Sequence, residues 1–515
     1  MASTAEKNNR IAKNTLVLYL RSVVVLLITL YTSRVVLATL GVDDYGIYFV
    51  VGGVVAVFSS ISGSLTGAIS RFITFELGRD DKDRLNTVFS TSIQIQAILA
   101  LVIVVLILAG GGWFLNEKLN IPAERIEAAK WVLACSAASF GFGLISSAYR
   151  ALIIAHEHMK AFAYFSILEV VLKLVAVLLL STAVISADSL KAYAVLLLLV
   201  SIIIKLCYFV YCRARFDESR FRFVWDSALL KHMFSFSGWA LSSHFVGMLN
   251  TQGVNIITNI YFGVALNAAR GIATQVESAL SQLISNLTVS VSPQITKSYA
   301  ADDKKYMFQL ICSGSKFAYF SALVLVVPLF LEAETVLQLW LGQVPEYAVV
   351  FVRLALLTLL PQILGGILFT AAMATGHIRN YSIIINGVSI FTFIFTWMLF
   401  WMGYPPEVAY IVHLLIRGVL VALRVLLLKS MMGFSPALYV KDVFLKILPV
   451  SALAFSFPTL IFLMPVSESF LRVVLTTAVS VPVTVLVVYV IGLTSNERIF
   501  VISKFQKLKS KFQKG

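Results

Sequence analysis

The chain has 515 residues, of which 59% are hydrophobic and 13% charged, with a formal net charge of +15. That balance excludes a soluble domain of this length, and with it the reading of the positive charge as a nucleic-acid footprint. A spanning helix uses roughly 20 residues, so about fourteen of them leave only short connections and no sizeable soluble domain.

In chain order, the polar start Met1 to Asn14 runs straight into the apolar segment Thr15 to Leu37. No short apolar core with a small-residue cleavage site precedes it, so the first helix is expected to be retained. Further spans are expected to begin near Tyr45, Leu85, Ile126, Ala161, Leu190, Leu230, Val264, Tyr306, Tyr347, Tyr381, Pro406, Val443 and Ser469. The result is an all-α membrane protein of about fourteen helices with both termini on one side.

Loop cations fall overwhelmingly on that side: Lys7, Arg10 and Lys13, then Arg71, Arg79, Lys82 and Arg84, then Arg213, Arg215, Arg220, Arg222 and Lys231. The opposite turns at Gly41 to Asp44, Tyr261 to Gly263 and Glu332 to Glu346 carry none. The cation-rich side reads as the cytoplasm, and anionic membrane lipids account for most of the net charge. Cys135, Cys207 and Cys312 fall in or near spans and Cys212 at a helix end, so no structural disulfide is expected.

Shifting the chain by 222 residues superposes Gly41-Val42 on Gly263-Val264, Leu65-Thr66 on Leu287-Thr288, Ile73-Thr74 on Ile295-Thr296, and Asp80-Asp81-Lys82 on Asp302-Asp303-Lys304. Because the matches include a polar loop, they point to a duplicated unit rather than to shared apolar composition. Spans six apart keep the same orientation, so two six-helix lobes are expected, related by an axis along the membrane normal. The expected organisation is a cytoplasmic N-terminus 1–14, a first lobe 15–212, a basic linker 213–229, a second lobe 230–430, two further helices 431–495 and a basic amphipathic tail 496–515. Two lobes facing one another enclose a cleft suited to alternating access.

Charged side chains within spans are costly and mark cavities or partners. Arg21 and Arg34 lie in span 1, Arg270 in span 8, Lys316 in span 9, Arg353 in span 10 and Arg417 in span 12. Together they suit an anionic substrate such as a lipid phosphate or pyrophosphate, for which bidentate arginine is well shaped. The structural alternative is interhelical pairing. Lys205 and Arg424, near helix ends, are expected to snorkel.

On span 7, Gln252, Asn255 and Asn259 share one face; on span 8, Arg270, Thr274, Glu277, Ser281 and Thr288 share another. These faces read as a polar cleft wall, with interhelical hydrogen bonding as the alternative. Glu169 and Lys173 are spaced to neutralise one another. Glu169 and Glu277 are the acids placed inside spans, through which Na+ or H+ coupling would run. His156-Glu157-His158 lacks zinc-motif spacing, and the sequence has no phosphate-binding loop, so neither a metal, nor a cofactor, nor enzymatic chemistry is expected.

The stretches Tyr31 to Leu37, Leu40 to Tyr48, Arg71 to Gly78 and Ala268 to Ala273 resemble those of polysaccharide transporters that flip lipid-linked O-antigen repeat units. The resemblance implies the superfamily that also holds multidrug and toxic compound extrusion carriers and lipid II flippases. It further implies a multi-pass protein of a bacterial inner membrane, an undecaprenyl-pyrophosphate-linked oligosaccharide as substrate, polysaccharide polymerase machinery as a partner, and Arg21 and Arg270 as leading substrate contacts. Three other functions stand beside it: a lipid II flippase, a cation-coupled drug exporter, and a membrane polymerase or ligase. An exporter calls for cavity carboxylates, which are few here, and an enzyme calls for a long ordered outer loop, which the short outer segments do not supply.

Overall fold

The computed structural model describes residues 4–56, 82–156, 158–181, 188–224, 246–375, 379–462, 470–495 and 497–499, with the single positions 58, 69, 73 and 76. The Arg71 to Gly78 stretch as a whole, Lys231, the start of span 7 near Leu230, the side chain of Thr288 and the tail beyond residue 499 lie outside the described residues. The described residues are helical and include no strand. Ten of their helices are long and apolar enough to cross a membrane.

Helices start close to where apolar periodicity placed them: Lys82, Ile126, Met159, Ser189, Val264, Lys304, Ala348, Arg379, Val408, Leu445 and Phe470. The duplication is visible in the backbone. Gly41 interrupts the helix Thr4–Ala56 at φ 79, ψ 175, and Gly263, the residue 222 positions later, separates Val254–Phe262 from Val264–Ala300 at φ 84, ψ −175. This region of conformational space is essentially closed to residues with a Cβ. The same offset relates the starts of Lys82–Glu117 and Lys304–Leu331, and of Ile126–Ala155 and Ala348–Ala374. In the second copy Asp303 caps its helix by accepting from the Tyr306 amide at 3.1 Å.

Packing divides the chain into Met1–Gly271 with Trp340–Glu346, and Ile272–Leu339 with Tyr347–Gly515. The division falls inside Val264–Ala300, some forty residues beyond the start expected for the second lobe at 230. Three close approaches in the first unit explain why span 7 and the first turns of span 8 pack there. A Cβ at Gly46 would meet the Val264 carbonyl, one at Gly53 would lie 2.8 Å from Gln252 Oε1, and one at Gly271 would lie 2.9 Å from the Phe49 ring. Small residues at such crossings allow the dense packing that substitutes for a hydrophobic driving force in lipid. Trp340 joins the same unit by donating to the Leu30 carbonyl at 2.7 Å.

Opposite ends of the first unit are filled by two apolar clusters, one around Ile47, Val51, Ile107 and Leu133, the other around Phe89, Tyr149, Leu152 and Ile204. At the Gly41 end, Arg125 grips two carboxylates at once. Its Nε donates to Asp44 Oδ1 at 2.8 Å and its NH1 to Asp188 Oδ2 at 2.8 Å, with NH2 reaching both residues. Asp188 also caps Ser189–Arg215 through the Leu190 and Lys191 amides. Burial opposes ionisation of Asp188, but the Arg125 guanidinium and those amides hold its carboxyl below the ordinary carboxylate range.

In the second unit the helix Lys304–Leu331 is the hub. Lys316, 1% exposed, donates to Glu497 Oε2 at 2.8 Å, Ser313 donates to the other oxygen at 2.7 Å, and Tyr319 and Ser451 hydroxyls meet at 2.9 Å. Just past its end, Glu332, 1% exposed, accepts from Arg472 at 3.1 Å and Thr476 at 2.7 Å. Of the two helices after residue 431, Phe470–Val487 is thereby fastened by charge at Arg472, and Leu445–Phe462 by the neutral hydroxyl contact at Ser451.

The clamp and the kinks give two predictions. A depressed native carboxyl pKa contributes stability above the unfolded value that is lost as pH falls through the native one. Asp188→Asn therefore lowers the melting temperature at neutral pH and flattens the acid-side fall that the parent shows below about pH 4, as thermal unfolding across a pH series reads. No atom lies within 4 Å of a Cβ built on Gly41, so Gly41→Ala loses about 1–3 kcal/mol through backbone strain alone. Gly46→Ala, which drives a carbon onto the Val264 carbonyl, loses more, and comparison of the two melting temperatures checks the order.

Candidate functional site

The part of the first kinked helix that leads up to Gly41 presents two neighbouring faces to two cavities of the first unit. Tyr31, Arg34, Val35, Ala38 and Thr39 face an open cleft of about 850 Å³ that Leu180, Ser181 and Ser189 complete. Thr29, Thr32, Ser33 and Val36 face a smaller cavity of about 170 Å³, closed by Tyr45, Tyr48, Lys173 and Tyr193. Helical spacing makes this possible, because residues three and four apart stack on one side. Lys173 reaches back to Glu169 at 2.7 Å, the pairing that the spacing of these residues predicts.

Deeper in the same helix, the Arg21 guanidinium sits over the Phe162 ring, 4.8 Å from its centre. Its Nε is buried and makes no hydrogen bond. A donor left in that condition costs roughly 1–3 kcal/mol. The ring supplies partial compensation through its negative face.

Spans 7 and 8 are joined by a run of hydrogen bonds. Arg270 Nε donates to Asn255 Oδ1 at 2.7 Å, Asn255 Nδ2 donates to Gln252 Oε1 at 2.9 Å, and Asn267 Nδ2 donates to the Asn255 carbonyl at 2.8 Å. Asn259, fully buried, accepts from the Asn120 amide at 2.8 Å. Asn255 is 3% and Arg270 8% exposed. The polar faces of the two spans thus pair with one another and with backbone, and Gln252, half-buried beside the π-helical turn Leu249–Gly253, is the member of the run left partly open.

In the second unit Arg417 NH1 donates to Glu277 Oε1 and to the Thr358 carbonyl, both at 2.9 Å. Lys316 is committed to Glu497. Burial works against ionisation of Glu497, yet the Lys316 ammonium, the Ser313 hydroxyl and the Thr494 amide hold its carboxyl below the ordinary range. Arg353 turns to the end of Lys304–Leu331, where its Nε donates to the Phe330 carbonyl at 3.1 Å and NH2 to the Leu331 carbonyl at 3.5 Å. A cation there satisfies orphan carbonyls and meets the negative end of the helix dipole.

Arg424 corrects an expectation. Instead of snorkelling, it folds inward and donates to the Gly365 carbonyl, in a space that a Cβ at Gly365 would narrow to 2.8 Å. Glu332, Arg472 and Glu497 were not singled out from the sequence, where Glu332 reads as a turn residue and Glu497 as part of the tail. The signal was depth: span 9 ends and span 14 begins on the same side, which puts Glu332 and Arg472 at one level.

His156 Nε2 lies 2.6 Å from Glu218 Oε1, and His158 Nδ1 lies 2.9 Å from the Tyr211 hydroxyl. Among the described residues no group of three His, Cys, Asp or Glu side chains is arranged to hold a metal ion. All four cysteines are free thiols.

A family model described as polysaccharide biosynthesis protein matches residues 11–299. A relative from Bacillus subtilis (strain 168), described as the uncharacterized membrane protein EpsK, is 20% identical over 320 residues, 61% of this chain; the match spans 62% of that relative's length, under two thirds of it. Among solved structures, the lipid II flippase MurJ in its inward closed conformation is similar at TM-score 0.70 and 14% identity, over 93% of this chain and 99% of that one. An inward-facing multidrug resistance MATE family transporter of the MOP superfamily follows at TM-score 0.67 and 16% identity, over 81% of this chain and 98% of that one. A MOP superfamily transporter from Pyrococcus furiosus, described by a binding pocket of reverse polarity, gives TM-score 0.60 at 16% identity, over 82% and 96%. At these identities the structures establish the MurJ and MATE-like fold, and the family match, which covers more than half of the chain, establishes membership: this multi-pass membrane protein belongs to the polysaccharide biosynthesis protein family.

Proposed function

We propose that the protein is a flippase that moves an undecaprenyl-pyrophosphate-linked oligosaccharide across a bacterial inner membrane by alternating access, for assembly of a surface polysaccharide. The observation that carries this reading is the sign of the uncommitted intramembrane charge. The acids placed within spans are each held by a cation, Glu277 by Arg417 and Glu169 by Lys173, whereas Arg21 keeps a buried donor without a partner. A site of that sign attracts a phosphate and repels the organic cations that a drug exporter carries.

Arg21 is assigned to the pyrophosphate, because a planar guanidinium matches its oxygens bidentately. Gln252, at the open end of the span 7 network, is assigned to sugar hydroxyls. Arg270 and Asn255 brace that end. Glu277 and Glu169 are the acids through which Na+ or H+ coupling runs in this scheme, and both termini face the cytoplasm, where the loop cations lie. A lipid II flippase is the second reading, favoured by the MurJ similarity; both substrates present the same pyrophosphate and differ in the sugars attached.

A deletion strain tests the class. Loss of surface polymer with single repeat units trapped on the inner leaflet is the expected result; units gathered on the outer leaflet would instead assign the protein to polymerisation or ligation, and arrest of cell-wall synthesis would assign it to lipid II. Arg21→Ala is expected to abolish surface polymer while the protein remains inserted and abundant, with Arg21→Lys restoring it in part because charge is kept and fork geometry lost. Normal polymer from Arg21→Ala would remove the assignment. For the Glu277 and Arg417 pair, Glu277→Gln leaves a guanidinium unbalanced and costs about 3–5 kcal/mol, most of which the double change Glu277→Gln with Arg417→Gln recovers. Thermal unfolding of the singles and the double, beside a polymer assay, separates a role in folding from one in transport.

A further inference from the structure

The helix Ser189–Arg215 is 27 residues long, about 40 Å by helix rise, and so extends past a hydrocarbon core of roughly 30 Å into the headgroup layer. Beyond it, one 3-10 turn, Asp217–Ser219, leads into an extended run to Val224. That run is strapped to Lys82–Glu117 by a ladder of side chains. Asn86 Nδ2 donates to the Glu218 carbonyl at 2.9 Å and the Arg220 carbonyl at 2.7 Å, and Ser90 Oγ accepts from the Arg222 amide at 3.0 Å. The Gln94 amide, oriented by its hydrogen bonds, donates to the Val224 carbonyl at 2.7 Å and accepts from its N–H at 3.3 Å.

The match is metric. Four helical residues rise about 6.0 Å and two extended residues about 6.6 Å, so side chains at i, i+4 and i+8 of the helix read every second residue of the strap. The inward side is closed too: Phe216 is 5% and Ser219 1% exposed, and the His156 ring stacks on Phe216 at 4.2 Å while it bonds Glu218.

The outward side carries Arg213, Arg215, Arg220 and Arg222, all exposed, with Phe221 48% and Phe223 84% exposed. Phe223 is the most exposed large apolar side chain among the described residues. The acids nearby are Asp217, exposed, and Asp83, which meets Arg222 at 3.4 Å with both side chains largely in solvent. Such an exposed pair neutralises little. The ladder from Asn86 to Gln94 spans about 12 Å by helix rise, so the strap doubles back beside Lys82–Glu117 and Phe223 lies inward of the end of Ser189–Arg215; at that height a bare phenylalanine flanked by arginines suits the headgroup and acyl boundary.

We infer that Arg213 to Phe223 is an anchor for anionic lipid headgroups, with the four arginines on lipid phosphates and Phe221 and Phe223 seated at the acyl boundary. The helix ladder fixes the strap along Lys82–Glu117, with the arginines and phenylalanines exposed on its free side. This assignment is independent of the transported substrate.

The test uses the full chain with Cys207→Ser, since the other three native cysteines are buried, and Phe223→Cys carrying an environment-sensitive NBD fluorophore. Reconstituted in phosphatidylcholine containing phosphatidylglycerol, the label is expected to shift to the blue and to be quenched by shallow doxyl lipid. Arg220→Gln with Arg222→Gln is expected to reverse both effects. Native mass spectrometry of the protein with both phenylalanines intact gives a second readout, in which preference for phosphatidylglycerol falls about fivefold per arginine removed. Water-like, unquenched emission overturns the inference, as does a shift that is equal in pure phosphatidylcholine and indifferent to the arginines.

Discussion

An ionised side chain in a low-dielectric medium has to be met by an opposite charge or a set of dipoles, and the second unit is organised by that requirement. Lys304–Leu331 carries Lys316 to Glu497, ends where Arg353 covers its last carbonyls, and is followed by Glu332, which receives Arg472 and Thr476. The pairs of Lys316 with Glu497 and of Glu332 with Arg472 join positions 181 and 140 residues apart in sequence. Removing one partner costs more than the pair contributes, because the remaining charge is stranded. Phe470–Val487 is held by a contact of this kind at Arg472, which fixes its register more narrowly than apolar packing among lipid-like side chains would.

Duplication supplied the frame and divergence supplied the locks. Gly41 and Gly263 share a backbone conformation that only glycine adopts easily, and the helices after them begin at the same spacing. Yet the clamp of Arg125 with Asp44 and Asp188 belongs to the first copy: 222 residues later stand Tyr347, Leu266 and Tyr410, none of them charged. The second copy holds its corresponding end with Glu332 and Arg472, the latter drawn from outside the duplicated unit. Equivalent backbones thus carry unrelated polar fastenings, and nothing in the repeat requires the two halves to respond alike to pH.

Helix count and helix starts were legible because apolar periodicity and turn glycines are local signals. The ion pair of Glu169 with Lys173 was legible for the same reason, being written at one helical turn. The partners of Arg353, Arg417 and Arg424 were not, since depth in the membrane says that a cation needs a partner and not which helix provides it. Arg353 illustrates the limit. Its depth suggested a cavity, while its actual partners are two carbonyls at a helix end, invisible to any side-chain pattern. A short turn at Gly263 brings spans 7 and 8 together, so Arg270 and Asn267 bond Asn255, while Asn259 turns to Asn120 and Glu277 to Arg417.

That spending bears on how a flippase handles a charged cargo. A carrier has to bind a pyrophosphate strongly enough to draw it from the headgroup layer and weakly enough to release it on the other side. A set of six bare cations would fail the second condition, because attraction between unit charges rises steeply as the dielectric falls. In this chain Lys316 and Arg417 are balanced by carboxylates and Arg353 by helix carbonyls, while Arg21 faces an aromatic ring with a donor to spare. In the proposed mechanism the carboxylate-paired cations shape the field and Arg21 makes the contact, so the attraction stays below what six bare cations would exert. In that scheme the balanced charges favour release, which each turnover of a carrier requires.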